Sequence, residues 1–104
     1  MTPILGIPVY NNPVAGATYE NVKIQGLGPW LPTDSVDVWF VKTTGNNHEY
    51  YHTSMTPASS DNNYRQMEMY NTLLSAEENN KPITVDVDNN GQINELFYYR
   101  YSNL

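Results

Sequence analysis

The stretch SSDNNYRQMEMYNTLLSAEENNKP, from Ser59 to Pro82, decides the fold. Its first residues carry Ser, Asp and Asn oxygens that cap a helix N-terminus, and Asn63 and Gln66 have the spacing of a capping box. Its last residues include two Asn, which tolerate a left-handed cap, and a proline that cannot continue a helix. The stretch therefore predicts a helix over 61–78.

Apolar side chains in this helix recur at intervals of three and four residues, which is typical of a helix with one buried side. The predicted buried stripe consists of Tyr64, Met67, Tyr70, Leu73 and Leu74. We expect this stripe to pack against the rest of the domain.

Three stretches before the helix alternate apolar and polar residues, as half-buried strands do. The first contains Val22 and Ile24, the second runs over 36–41, and the third runs over 49–55. Gly and Asn residues at 44–47 provide the chemistry of a hairpin turn between the second and third.

Two more strands follow the helix, over 83–87 and 93–101, with an Asn-Asn-Gly turn at 89–91. Three strands, one helix and two strands is the order of the OB-fold, whose helix lies between strands three and four. We therefore predict a β-rich α+β fold, an OB-fold-like five-stranded barrel with one helix. An open sheet with the helix across one side fits the same pattern.

The first 17 residues contain three prolines and two glycines. Because proline removes a donor from the strand ladder, these residues predict an irregular N-terminal arm over 1–17, with one short edge strand near 7–10. Residues 18–104 are then a single OB-like domain.

The composition excludes several classes of function. The chain of 104 residues has no cysteine, which excludes a disulfide, a cysteine-ligated metal and a cysteine nucleophile. Five Lys and Arg against eleven Asp and Glu give a net charge of −6, which repels nucleic acid. No apolar run approaches the ~20 residues of a membrane span, so we expect no membrane insertion.

The first residues lack the cationic head and long apolar run of a signal peptide. We therefore expect the chain to be either a mature secreted or periplasmic chain without its leader, or a cytoplasmic chain. No catalytic motif is recognisable, and we expect no enzyme activity: His48 and His52 stand four residues apart in turn and strand sequence, without a zinc-protease frame.

Nine tyrosines and repeated Asn pairs favour a glycan-binding surface, because sugars stack on aromatic rings and hydrogen-bond to neutral polar groups. Tyr50 and His52 alternate onto one side of the third strand. Trp30 lies in a Gly- and Pro-rich loop, followed by Asp34 and Ser35. The alternative is that Trp30 covers the barrel end and that the tyrosines are ordinary strand residues.

The second half of the chain resembles the B subunits of bacterial AB5 toxins, in particular the Shiga-like and subtilase-cytotoxin-like members. The resemblance rests on NTLLSA at 71–76, NNKP at 79–82, the strand at 83–87 and ELFYY at 95–99, and it extends over 19–101. In these families a leucine-rich helix leads directly into a Thr/Val strand and a final hairpin strand.

The resemblance implies a secreted homopentameric ring that binds cell-surface glycans and, in a toxin, carries an enzymatic A chain. It also adds Tyr19 to the glycan-binding candidates, since glycan contacts in subtilase-like members lie near the start of the corresponding strand. Family members usually contain a disulfide, which this chain lacks. A structural or protein-interaction subunit is the alternative function.

Residues 86–94 resemble a calcium loop. Asp86, Asp88 and Asn90 occupy the oxygen-bearing positions of D-x-[DN]-x-[DN]-G. The position of the bidentate Glu is Phe97, and no helix precedes the loop, so a hairpin turn explains the same letters. A calcium-stabilised module is accordingly a third reading, and no other cofactor is expected.

Overall fold

The computed structural model describes residues 9–29, 36–55 and 63–98. They form five strands and one helix: β1 (Thr18–Leu27), β2 (Val36–Thr44), β3 (Asn47–Met55), α1 (Asn63–Glu78), β4 (Ile83–Val87) and β5 (Ile93–Tyr98). The predicted order of elements is confirmed. Residues 61–62 of the predicted helix and 99–101 of the predicted last strand lie outside the described residues.

The five strands close into a barrel in the order β1-β2-β3-β5-β4. β1 is antiparallel to both β2 and β4, and β4 forms a hairpin with β5. The barrel closes where β3 and β5 run parallel, with Met55 opposite Ile93. The OB-fold-like barrel is therefore confirmed, and the open sheet is wrong.

One hydrophobic core fills the barrel because every second strand residue faces inward. Fully buried side chains from four strands include Val22, Val38, Phe40, Ile83 and Ile93. The helix contributes to the same core. Among the described residues, α1 and the strands therefore share one hydrophobic core, as the sequence predicts.

The buried side of α1 differs from the predicted stripe. Its buried residues are Gln66, Met69, Leu73 and Ala76, whereas Tyr70 and Leu74 are half-buried. Tyr64 and Met67 face solvent, with 78% and 37% of their surface exposed.

The reason is that apolar side chains surround most of the helix, so their spacing alone does not select one side. The observed side carries the short Ala76 side chain, and Met69, Leu73 and Ala76 reach the core that the strands form. The cost is a buried amide, since the Gln66 side-chain oxygen has no hydrogen-bond partner among the described residues.

The described part of the arm, residues 9–17, follows the surface of the barrel. Asn11 forms an isolated parallel bridge with Tyr51: its N–H donates to the Tyr50 carbonyl and its carbonyl accepts from the His52 N–H. The edge strand predicted near 7–10 falls mostly outside the described residues, and the observed bridge lies just beyond it. The arm thus pairs with the part of β3 that β5 does not reach.

Among the described residues, no helix has the length and apolar character that a membrane crossing requires.

Candidate functional site

Aromatic side chains collect on the outside of the barrel over β2 and β3. Because Val36, Val38 and Phe40 face inward, Asp37 and Trp39 point outward. On β3, Tyr51 packs inward against Phe40, so its neighbours Tyr50 and His52 point outward. We call the group Tyr10, Trp39, Tyr50 and His52 the outer aromatic face.

Trp39 and His52 are cross-strand partners. Their rings stack with centroids 4.8 Å apart and planes 25° apart. His52 Nε2 also lies 3.2 Å from Asp37 Oδ1, and both side chains remain partly exposed. An indole, an imidazole and a carboxylate thus form one connected group that is open to solvent.

Gly26 makes room for the Trp39 indole. A bulge in β1 between Ile24 and Gly26 shifts the register, which places Gly26 opposite Trp39. A Cβ at Gly26 would lie 3.1 Å from Trp39 Cε3, which is closer than side chains normally approach. The missing side chain at position 26 therefore allows the indole its observed position.

Tyr10 extends the outer aromatic face across the sheet. Its ring meets Tyr50 edge-on at 5.6 Å, and its hydroxyl donates to Gln25 Oε1 at 2.9 Å. Tyr10 thus reaches from β3 to β1 and crosses β2, where Val41 is buried although it faces outward. The arm, through its bridge at Asn11, holds Tyr10 in this place.

The structure brings together two of the sequence-predicted glycan residues, Tyr50 and His52, on the side they were predicted to share. Trp30, Asp34 and Ser35 lie outside the described residues. Tyr19 is in the core with 9% exposure, so its ring presents no open surface.

Tyr19 has a structural role that the sequence does not reveal. Its ring packs against Phe40 and Tyr51, and its hydroxyl accepts the N–H of Val14 at 2.9 Å. Burial, and secondarily the neighbouring Tyr19 and Glu49, raise the pKa of the Tyr51 phenol above its ordinary value.

Two of the three predicted calcium residues, Asp86 and Asp88, already use their carboxylates in hydrogen bonds within the protein. Asp88 Oδ1 accepts hydrogen bonds from the backbone N–H groups of Asn90 and Gln92, at 2.8 and 2.9 Å, and so holds the turn. Asp86 Oδ1 accepts a hydrogen bond from the hydroxyl of Thr18 on β1. Gly91, with φ near 79°, completes the turn. In the described part of the chain, no three His, Asp or Glu side chains are grouped to hold a metal.

Sequence reasoning missed Trp39 and Tyr10 as site residues. A signal for Trp39 was present, because a tryptophan that alternates with Val36, Val38 and Phe40 must point away from the core. Tyr10 had no local signal, since only the bridge between the arm and β3 brings it to the face.

No family model, no curated protein and no solved structure shows a significant match to this chain. The site is therefore interpreted from its own geometry.

Proposed function

We propose that the protein is a non-enzymatic glycan-binding module whose ligand lies on the outer aromatic face. The observation that carries the proposal is the partly exposed Trp39 indole, stacked on His52 and next to Asp37. Sugar rings present C–H faces that stack on an indole. A carboxylate accepts hydrogen bonds from sugar hydroxyls, and an imidazole can both donate to them and accept from them.

The charge of the chain favours neutral over acidic glycans. The net charge is −6, and Asp37, which adjoins the Trp39–His52 end of the face, is 57% exposed. A sialylated or sulfated sugar would be repelled there, whereas a neutral hydroxyl pair can donate to the carboxylate.

Two aromatic groups extend the face along the strands. Trp39 and His52 form one, and Tyr10 and Tyr50 form the other, with Tyr50 two residues before His52 on β3. Residues two apart on a strand are separated by about 7 Å. A ligand that touches both groups must contain more than one sugar ring, so we expect oligosaccharides to bind more tightly than monosaccharides.

The proposal includes self-association into a secreted ring of the AB5 type, to which an enzymatic chain could attach. Its support is the side of α1 that carries Tyr64 and Met67, both exposed apolar side chains on the one long helix of the described chain. A ring also gives a physical advantage, because several weak sugar sites on one particle bind a cell surface with high avidity.

A glycan array with labelled protein tests the binding proposal. Wild type should bind a defined set of neutral oligosaccharides, and Trp39→Ala should lose at least about fivefold in single-site affinity, since one aromatic contact is worth about 1 kcal/mol. Tyr64→Ala is the matched control, because it removes an exposed aromatic ring from α1 instead. In calorimetric titration with a soluble oligosaccharide, which measures single-site affinity and not avidity, Tyr64→Ala should bind as wild type does. A wild type that binds no glycan, or an unaffected Trp39→Ala variant, contradicts the proposal.

A further inference from the structure

A polar cavity lies on another part of the molecule, between the arm and the β4–β5 turn. Its volume is about 400 Å³. It is lined by three arm residues, one residue of β3 and the tip of the turn: Asn12, Pro13, Ala15, Thr53, Asn89, Asn90 and Gly91. We call it the arm–turn cavity.

The cavity exists because the arm is attached on both sides of it. Before the cavity, Asn11 is bridged to β3, and after it the Gly16 N–H donates to the Asp88 carbonyl at 3.0 Å. The arm thus spans part of the boundary between β3 and the turn, which are also joined directly by the hydrogen bond from the Thr53 hydroxyl to the Gly91 carbonyl.

Two side chains beside the cavity form hydrogen bonds that stabilise the turn, so these polar groups are not available to a ligand. The Asp88 carboxylate caps the turn, and the Thr53 hydroxyl donates to the Gly91 carbonyl. The side-chain amides of Asn12, Asn89 and Asn90 make no hydrogen bond to another described residue, and all three residues are exposed. The cavity therefore offers three amides, each with donors and an acceptor, and no charged side chain in its wall.

We infer that the arm–turn cavity is a second ligand site, which takes a single neutral sugar residue. Neighbouring hydroxyls of a sugar ring each donate and accept, which matches the paired donor and acceptor of an Asn amide. Ligand pockets range over about 300–1,000 Å³, and a cavity near the lower limit suits one small ligand. The polar wall excludes a lipid, and the uncharged wall gives no counter-charge to an ion.

This inference does not depend on the outer aromatic face, because the two sites share no residue. A nitrogen-15 NMR titration of the full chain separates them. The probes are glucose, galactose, mannose and N-acetylglucosamine, and N-acetylglycinamide tests whether the amides prefer a peptide group instead.

We expect at least one monosaccharide to shift the backbone amides of Asn12, Thr53 and 89–91 in a saturable manner, also in Trp39→Ala protein. The double variant Asn12→Ala/Asn89→Ala should weaken this binding about tenfold, since it removes two hydrogen-bonding amides. Asn46→Ala, an exposed Asn in the β2–β3 turn, is the control and should not change it.

Three results would overturn the inference. The first is that no monosaccharide shifts these amides up to its solubility limit, and the second is that only N-acetylglycinamide shifts them. The third is that shifts are confined to Trp39, Tyr50 and His52, which would support the outer aromatic face and refute the second site. A failure on the oligosaccharide array, in contrast, concerns only the proposed function.

Discussion

At the scale of single residues, position 39 places a large aromatic ring on the outside of a small barrel. Hydrophobic burial alone does not explain its position, because the core is filled from the other side of β2. The indole is instead held by local contacts, with His52 stacked on it and Gly26 leaving space beside it. Such an arrangement orders an exposed aromatic ring before a ligand arrives, which lowers the entropic cost of binding.

Gly26→Val is expected to displace the indole and weaken glycan binding without unfolding the barrel. The new side chain would occupy space next to Trp39 Cε3, and Trp39 is only half-buried, so it is the indole and not the core that is displaced. The ring-proton shifts of His52 report the stacking, and they should move toward those of Trp39→Ala protein. Unchanged His52 shifts and unchanged affinity would show that Gly26 does not position the indole.

Tyr51 makes stability depend on pH in the alkaline range. Its pKa is raised above 10.0 by burial, so the unfolded phenol loses its proton at a lower pH than the folded one. The stabilisation is complete below about pH 10 and is lost as pH rises through the folded pKa. Tyr51→Phe should therefore flatten the decline of unfolding free energy above pH 10 in urea titrations. Tyr64→Phe is the control on the exposed side of α1, and an equal effect of both variants would contradict this role of Tyr51.

At the scale of secondary-structure elements, the helix shows how the barrel selects one side of an ambiguous amphipathic segment. Met67 and Met69 are two residues apart on α1, yet Met69 joins the core and Met67 is 37% exposed. Both positions hold a methionine in the same helix, so the difference between them lies in what each side chain packs against.

Met69→Ala should reduce the free energy of unfolding by about 2–5 kcal/mol, because it leaves a cavity in the core. Met67→Ala should cost less than about 1 kcal/mol, as surface substitutions usually do. Urea unfolding of both variants measures the difference. Equal losses, or a larger loss at Met67, would contradict the observed orientation of α1, in which Met69 and not Met67 lies in the core.

The strands could be predicted from the sequence and the helix face could not. Alternation in Val36, Val38 and Phe40 has only one interpretation, because exchanging the two sides of the strand would bury Asp37. In α1 the Gln66 side chain is buried, and its amide oxygen has no hydrogen-bond partner in the described part of the chain, which no local sequence pattern predicts. For the site, alternation sufficed for Tyr50 and His52, whereas Tyr10 depends on a contact between the arm and β3 that only tertiary structure creates.

At the scale of the whole molecule, the outer aromatic face and the exposed side of α1 are separate surfaces of one barrel. A single sugar site binds weakly, so the proposed function needs several copies that act together. The exposed Tyr64 and Met67 give α1 an apolar surface that a second copy can cover.

Met67→Glu should therefore shift the protein from an oligomer to a monomer in native mass spectrometry, since it places a charge in the expected contact. Thr44→Glu adds the same charge at an exposed position of β2 and should leave the oligomer intact. A wild type that is monomeric at micromolar concentration would contradict the ring, although single-site glycan binding would stand.

The most direct test of the central claim, that the outer aromatic face binds glycans, is the indole Nε1–H signal of Trp39 during titration with a glycan selected on the array. We predict that this signal and the amide signals of Tyr50 and His52 shift together and saturate at one common affinity. A glycan that binds while these three signals remain fixed would contradict the account.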